Sequence, residues 1–167
     1  MKKIINMSLL MALITVFTLG FTACSNDDDK DMTYPVISAE GITANPIDCQ
    51  VYQRGTVIPF HYIFTDDTEL GAYNIEIHTN SDHHSHSTSS VECEEEHEGE
   101  HEHEHEAVKP WVYNQDFTIS AGQRSFDARH DIVIPADIDE GDYHFMIRLT
   151  DRAGWQQLKA VAIKITE

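Results

Sequence analysis

A two-residue periodicity, in which large apolar side chains recur at every second position, constrains the fold of this chain most. Along residues 143–150, aromatic and aliphatic side chains occupy every odd position, while His144 and Arg148 fall between them. Residues 57–64 and 72–78 alternate in the same way. Because successive side chains of a strand point to opposite faces, this pattern predicts antiparallel strands with one buried and one polar face.

Shorter apolar runs bring the expected number of strands to about seven. They cover residues 35–39, 111–119, 131–134 and 158–165, and turn-forming Asn, Asp, Gly and Pro residues separate them. Residues 33–79 and 108–167 together hold 107 residues, close to the ~100 of an immunoglobulin-like domain. We therefore expect an all-β fold, an immunoglobulin-like antiparallel β-sandwich, within a domain at 33–167.

Residues 80–107 interrupt this sandwich with a segment that no hydrophobic core can absorb. The segment contains seven histidines, and residues 92–106 hold nine glutamates and no Lys or Arg. Low complexity and like-charge repulsion predict a long, disordered His/Glu-rich insertion between two strands. About half of the formal net charge of −18 lies there. An acidic surplus of this size disfavours nucleic acid and favours cationic partners.

Imidazole and carboxylate groups in this region predict binding of divalent transition metal ions. Zn²⁺ is the expected ion, Cu²⁺ and Ni²⁺ are possible, and affinity should fall below about pH 6 as the imidazoles become protonated. One candidate site joins strand and loop residues: His78, Asp82, His83, His84, His86 and His144. The glutamate-rich tract adds further candidate ligands: His97, His101, His103 and His105. The alternative is an acidic tract that only increases solubility.

The remaining histidines and acids suggest weaker hypotheses. His61 is interpreted as a half-exposed strand residue and His130 as a surface residue. Asp66 and Asp67 predict a turn, or with Asp151 a Ca²⁺ site at the sandwich edge; Ca²⁺ is less expected than Zn²⁺. The sequence contains no nucleophile elbow, His-Glu-x-x-His helix or phosphate-binding glycine loop, so we do not expect an enzyme.

The N-terminal segment predicts export and lipid anchoring. Residues 1–23 combine two lysines with an almost entirely apolar run, which is typical of a signal peptide, although a transmembrane helix is the alternative. Residues 21–24 resemble a bacterial lipobox, which implies acylation of Cys24. Residues 24–32 form an acidic tether that resembles the surface-export signal of Bacteroidota lipoproteins; a plain solubilising spacer is the alternative. This implies an outer-membrane location facing the cell exterior.

The other two cysteines leave two possibilities open. In an oxidising compartment, Cys49 and Cys93 form an even pair, so a disulfide that ties the insertion to the sandwich is reasonable. Alternatively, Cys93 is a thiolate metal ligand beside His97.

Several motifs together resemble the domain of unknown function 4625 family, predicted lipoproteins of Bacteroidota. They are the segments 66–70, 73–78, 82–86, 141–145 and 149–154, and the resemblance spans roughly 34–166. It implies a lipoprotein with an immunoglobulin-like domain and a histidine cluster in this place. It implies no particular activity.

Two functions from different classes follow. The first is a surface-anchored lipoprotein that captures or buffers a divalent metal ion and hands it to an outer-membrane transporter. The second is a non-catalytic adhesion module that binds protein or glycan, for which the acidic loop only adds solubility.

Overall fold

The computed structural model describes residues 30–80 and 108–167. Within these ranges the chain forms eight strands and no helix, and hence no helix that could cross a membrane. A compact unit begins at Asp31, two residues before the predicted domain boundary. The strands are β1 (Val36–Ser38), β2 (Gln50–Gln53), β3 (Val57–Thr65), β4 (Leu70–Thr79), β5 (Tyr113–Thr118), β6 (Ser125–Val133), β7 (Gly141–Asp151) and β8 (Gln156–Thr166).

The strands form two sheets whose inner faces share one core. The smaller sheet has the order β1-β3-β6, and the larger has the order β2-β8-β7-β4-β5. All neighbours are antiparallel except β2 and β8, which run parallel. The all-β sandwich predicted from the sequence is confirmed.

The predicted alternation positions the core. Phe60 of β3 stacks against Phe145 of β7 and Tyr73 of β4, with ring centroids 5.8 and 6.3 Å apart. Ile75 and Ile147, opposite each other on β4 and β7, are fully buried. Burial of these inward positions drives the two sheets together and leaves the intervening residues of β4 and β7 on the outer face of the larger sheet.

Two strands depart from the prediction. β2 was not predicted, because only Tyr52 of its four residues is buried and so short a run carries little periodicity. β6 begins at Ser125 rather than 131 and pairs with β3 along its whole length. The charged outer positions Asp127 and Arg129 hide the alternation of the inner ones.

His130 was interpreted wrongly as an ordinary surface residue. It occupies an inward position of β6, in step with Ala128 and Ile132. Its ring lies 4.9 Å from that of Phe60 and 4.4 Å from that of Phe117. Burial among these rings lowers the pKa of His130 below its usual value, although neighbouring Asp131 acts in the opposite direction.

Candidate metal centre

The register of β4 and β7 brings two of the predicted metal ligands together. These strands are antiparallel neighbours in the middle of the larger sheet, and His78 lies directly opposite His144. The two imidazole rings have centroids 5.5 Å apart and are nearly perpendicular, at 77°. Both side chains lie on the outer face because Ile77 and Phe145, their chain neighbours, point into the core.

A carboxylate that was not among the predicted ligands lies beside this pair. Glu76 precedes His78 by two residues and therefore shares its face of β4. Its Oε1 atom lies 3.3 Å from Nδ1 of His78. His144 is only 4% exposed, whereas the side chains of His78 and Glu76 are half-buried. The i, i+2 spacing of the outer positions is the sequence signal that could have identified Glu76.

The start of the insertion is held next to the histidine pair. Thr79 pairs with Tyr143, and the backbone N–H of Asn80 donates to the carbonyl of Asp142 at 2.8 Å. The chain thus leaves the sheet beside His144. The other eight predicted metal ligands lie outside the described residues: Asp82, His83, His84, His86, His97, His101, His103 and His105.

His61 lies away from this pair, on the smaller sheet. Its Nε2 atom is 2.9 Å from Oδ1 of Asp127, and its Nδ1 atom is 3.1 Å from the carbonyl oxygen of Thr43. The hydrogen bond from Arg129, reinforced by His61, holds the pKa of Asp127 below its usual value. These contacts give His61 a structural role between β3 and β6, in line with its interpretation as a strand residue.

Of the three cysteines, the structure describes only Cys49. It is disulfide-bonded, and its partner lies outside the described residues, as do Cys24 and Cys93. The specific pairing of Cys49 with Cys93 stays a prediction.

Acidic residues meet at the opposite end of β4 and β7. Within residues 30–80 and 108–167, one group of three potential ligands has its ligand atoms within 4.8 Å of one another: Asp31, Asp66 and Asp151. The sequence indicated Asp66 and Asp151 but paired them with Asp67, which instead accepts a hydrogen bond from the Thr33 hydroxyl. Asp31 was assigned to the tether. It reaches the sandwich because its carbonyl accepts a hydrogen bond from the Trp155 indole at 3.0 Å, a tertiary contact with no local sequence signal.

The amino-acid sequence matches the model of one protein family over most of its length. The family described as "Domain of unknown function (DUF4625)" matches residues 22–166. The chain belongs to this family. All eight strands of this DUF4625 domain lie within the matched range, as do the histidine pair and the three aspartates. A search of the curated proteins finds no match, so the chemistry of these side chains has to carry any functional assignment.

Proposed function

We propose that this DUF4625 protein is a lipoprotein, anchored through Cys24 at the outer membrane and facing the cell exterior, that captures or buffers a divalent transition metal ion. Zn²⁺ is the ion its ligands suit best, with Cu²⁺ and Ni²⁺ as competitors. His78 and His144 form the part of the site that lies within the described residues, and the His/Glu-rich insertion supplies further ligands. The placement of His78 opposite His144 is the observation that carries the proposal.

The spacing of the two rings suits a shared metal ion. Two imidazoles bound to one tetrahedral zinc ion, with Zn–N bonds of about 2.0–2.1 Å, have ring centroids about 5 Å apart. The separation of 5.5 Å between His78 and His144 is close to this value. The proposal requires one nitrogen of each ring to turn toward the same ion, and Nδ1 of His78 already lies 3.3 Å from Oε1 of Glu76.

Strand pairing keeps the cost of assembling these ligands low. Each histidine lies on a strand that is hydrogen-bonded on both sides, since β4 lies between β7 and β5, and β7 lies between β4 and β8. Ligands fixed on a rigid sheet lose little conformational freedom when the ion binds. Glu76, beside His78, provides a carboxylate oxygen of the kind that completes mixed nitrogen and oxygen shells.

The insertion gives the sheet site access to more ligands. Asp82 follows Asn80 by two residues, and the backbone of Asn80 is held at the start of β7. Because the tract alternates His and Glu through residues 100–106, it can bind additional ions weakly and exchange them with the sheet site. Such exchange suits a protein that collects metal and passes it to an outer-membrane transporter.

Calorimetric titration of the full-length protein with Zn²⁺ tests this function. We expect a first site with a Kd well below about 100 µM, weakened at least tenfold by either His78→Gln or His144→Gln. His61→Gln, on the other sheet, is the matched control and should retain this site. Because His144 is buried, melting curves must establish that each variant is folded.

Deleting residues 92–106 separates the sheet site from the tract. The tight site should survive this deletion, while weaker binding sites are lost. If wild-type protein binds no Zn²⁺ more tightly than about 100 µM, the metal function is wrong, and the adhesion module becomes the better hypothesis. If the tight site disappears with the tract and is unchanged in both histidine variants, the sheet pair is not the site.

A further inference from the structure

Asp31, Asp66 and Asp151 meet at the end of the sandwich away from the histidine pair. Asp66 directly follows β3, Asp151 ends β7, and Asp31 begins the compact unit before β1. Leu70 pairs with Asp151 at this end of β4. His78 lies eight positions farther along the same strand, roughly 26 Å away at about 3.3 Å per residue. The two clusters are therefore independent of each other.

In each of the three carboxylates, one oxygen accepts hydrogen bonds and the other does not. Oδ1 of Asp66 accepts hydrogen bonds from the backbone N–H groups of Thr68 and Glu69, at 2.9 and 2.7 Å. Oδ1 of Asp151 accepts from those of Gly154 and Trp155, at 2.6 and 2.8 Å. Oδ1 of Asp31 accepts from the N–H of Thr33 at 3.0 Å and shares the single proton of the Thr33 hydroxyl with Oδ1 of Asp67. One oxygen of each aspartate thus holds its own turn.

The second oxygen of each aspartate has no such partner. The Oδ2 atoms of Asp31, Asp66 and Asp151 are buried and accept no hydrogen bond within the described parts of the chain. Asp66 is 8% exposed and Asp151 only 4% exposed. A buried carboxylate oxygen is normally hydrogen-bonded or paired with a cation, because its desolvation is otherwise uncompensated. Within the described residues, the Oδ2 atoms of these three aspartates have neither a hydrogen bond nor a cationic partner.

Nearby guanidinium groups have other partners. Arg152 pairs with Glu69 at 3.3 Å, and Arg124 donates to the carbonyl of Thr68 at 3.0 Å. Among the residues that the structure describes, no Lys, Arg or His forms an ion pair with any of the three aspartates. A cation from solution would supply the missing charge.

We propose that Asp31, Asp66 and Asp151 bind a calcium ion. A site made of carboxylate oxygens alone favours a hard cation, and Ca²⁺ accepts six to eight oxygen ligands in flexible geometry, so that water or carbonyl oxygens can complete its shell. Mg²⁺ demands near-octahedral geometry and gives up its water reluctantly, whereas Zn²⁺ prefers nitrogen and sulfur ligands. This site is separate from the proposed transition-metal function and does not depend on it.

Calcium would fasten the first residues of the compact unit, which begins at Asp31, to the two sheets. Asp31 precedes β1, Asp66 follows β3 of the smaller sheet, and Asp151 is the last residue of β7 in the larger sheet. The Trp155 indole already donates to the Asp31 carbonyl, and the Trp155 ring contacts Tyr34 with centroids 4.9 Å apart. An ion shared by the three carboxylates joins both sheets and the entering chain at one point.

Terbium luminescence tests the site, because Tb³⁺ replaces Ca²⁺ and Trp155 lies close enough to sensitise its emission. The full-length protein should give tryptophan-sensitised Tb³⁺ emission that Ca²⁺ displaces and an equal concentration of Mg²⁺ does not. Asp66→Asn should reduce this emission at least tenfold, while the amide oxygen still accepts the two turn hydrogen bonds. Asp67→Asn removes the same charge one residue away and should retain the emission.

Thermal melting provides a second measurement. At a Ca²⁺ concentration about 100 times its Kd, the melting temperature of the wild type and of Asp67→Asn should rise by roughly 8 °C, and that of Asp66→Asn should not. If Asp66→Asn fails to fold, Asp31→Asn, at the partly exposed corner of the cluster, should lose both signals instead. Equal emission and equal calcium shifts in wild type and folded aspartate variants would overturn the site.

Discussion

Replacing Asp151 by asparagine and by alanine separates the two roles of its carboxylate. Asp151→Asn keeps an acceptor for the N–H groups of Gly154 and Trp155 but removes the charge that faces Asp31 and Asp66. Asp151→Ala removes both. Without calcium, the two variants should therefore differ from each other in stability, and with calcium both should fall below the wild type.

The magnitudes follow from the geometry. Loss of two turn hydrogen bonds, each worth about 1 kcal/mol net, should make Asp151→Ala about 2 kcal/mol less stable than Asp151→Asn. Two carboxylate charges no more than 4.8 Å apart repel by at least about 3.5 kcal/mol at an effective dielectric constant of about 20. Screening at partly exposed Asp31 and the weaker hydrogen bonds of an amide offset much of this gain. We expect Asp151→Asn to be about 0–2 kcal/mol more stable than the wild type without calcium.

Calcium should reverse this order. At 100 times its Kd, an ion that binds only the folded state adds about 2.7 kcal/mol to the wild type and little to Asp151→Asn. The wild type then becomes the more stable protein by about 1–3 kcal/mol. Urea unfolding in EDTA and in Ca²⁺, with free energies from linear extrapolation, measures both differences. Equal stabilisation of both proteins by calcium, or an Asp151→Asn variant destabilised by more than about 1 kcal/mol in EDTA, would refute the reasoning.

Three further substitutions, and Val133→Ala as a control, test the packing of the sandwich. Gly71→Ala should lose about 1–3 kcal/mol in urea unfolding, because a Cβ atom there would lie 2.8 Å from the carbonyl oxygen of Asp151; unchanged stability would contradict this close approach. Phe145→Ala should lose about 3–5 kcal/mol because its ring is fully buried, whereas Val133→Ala, at a 70% exposed position, should change stability by less than about 0.5 kcal/mol. Burial lowers the pKa of His130 in the folded state, because the folded protein favours the neutral imidazole. The stability that the neutral imidazole contributes is therefore complete above the unfolded-state pKa of about 6.5 and is lost as the pH falls through the folded-state pKa. His130→Phe should therefore be more stable relative to wild type at pH 5 than at pH 7.5, and a pH-independent difference would contradict the burial.

The sequence predicted the sandwich where local periodicity was strong. The alternation around Ile75 and Ile147 identified β4 and β7 and placed His78 and His144 on outer faces, because a two-residue period determines the face of every side chain. It could not predict that the two histidines are directly opposite each other. That register depends on the pairing of strands separated by more than 60 residues, which local patterns do not specify.

The missed features have a common physical origin in tertiary contacts. His130 was interpreted as a surface residue because its charged neighbours on the outer face of β6 dominate the local composition. Asp31 follows an acidic, non-periodic run, and it joins the cluster only because Trp155 and the turn after β3 lie beside it. Asp67 was grouped with Asp66 by adjacency in sequence, whereas adjacent residues generally direct their side chains to different sides.

Nuclear magnetic resonance of the histidine side chains during a Zn²⁺ titration tests the central claim most directly. At neutral pH, the imidazole signals of His78 and His144 should shift together, and this shift should be complete after one equivalent of Zn²⁺. The signals of the histidines at residues 97–105 should shift only when more Zn²⁺ is added. At pH 5, where free imidazoles are protonated, the first change should be lost. Signals of His78 and His144 that stay constant while tract signals respond to the first equivalent would contradict a metal site on the sheet.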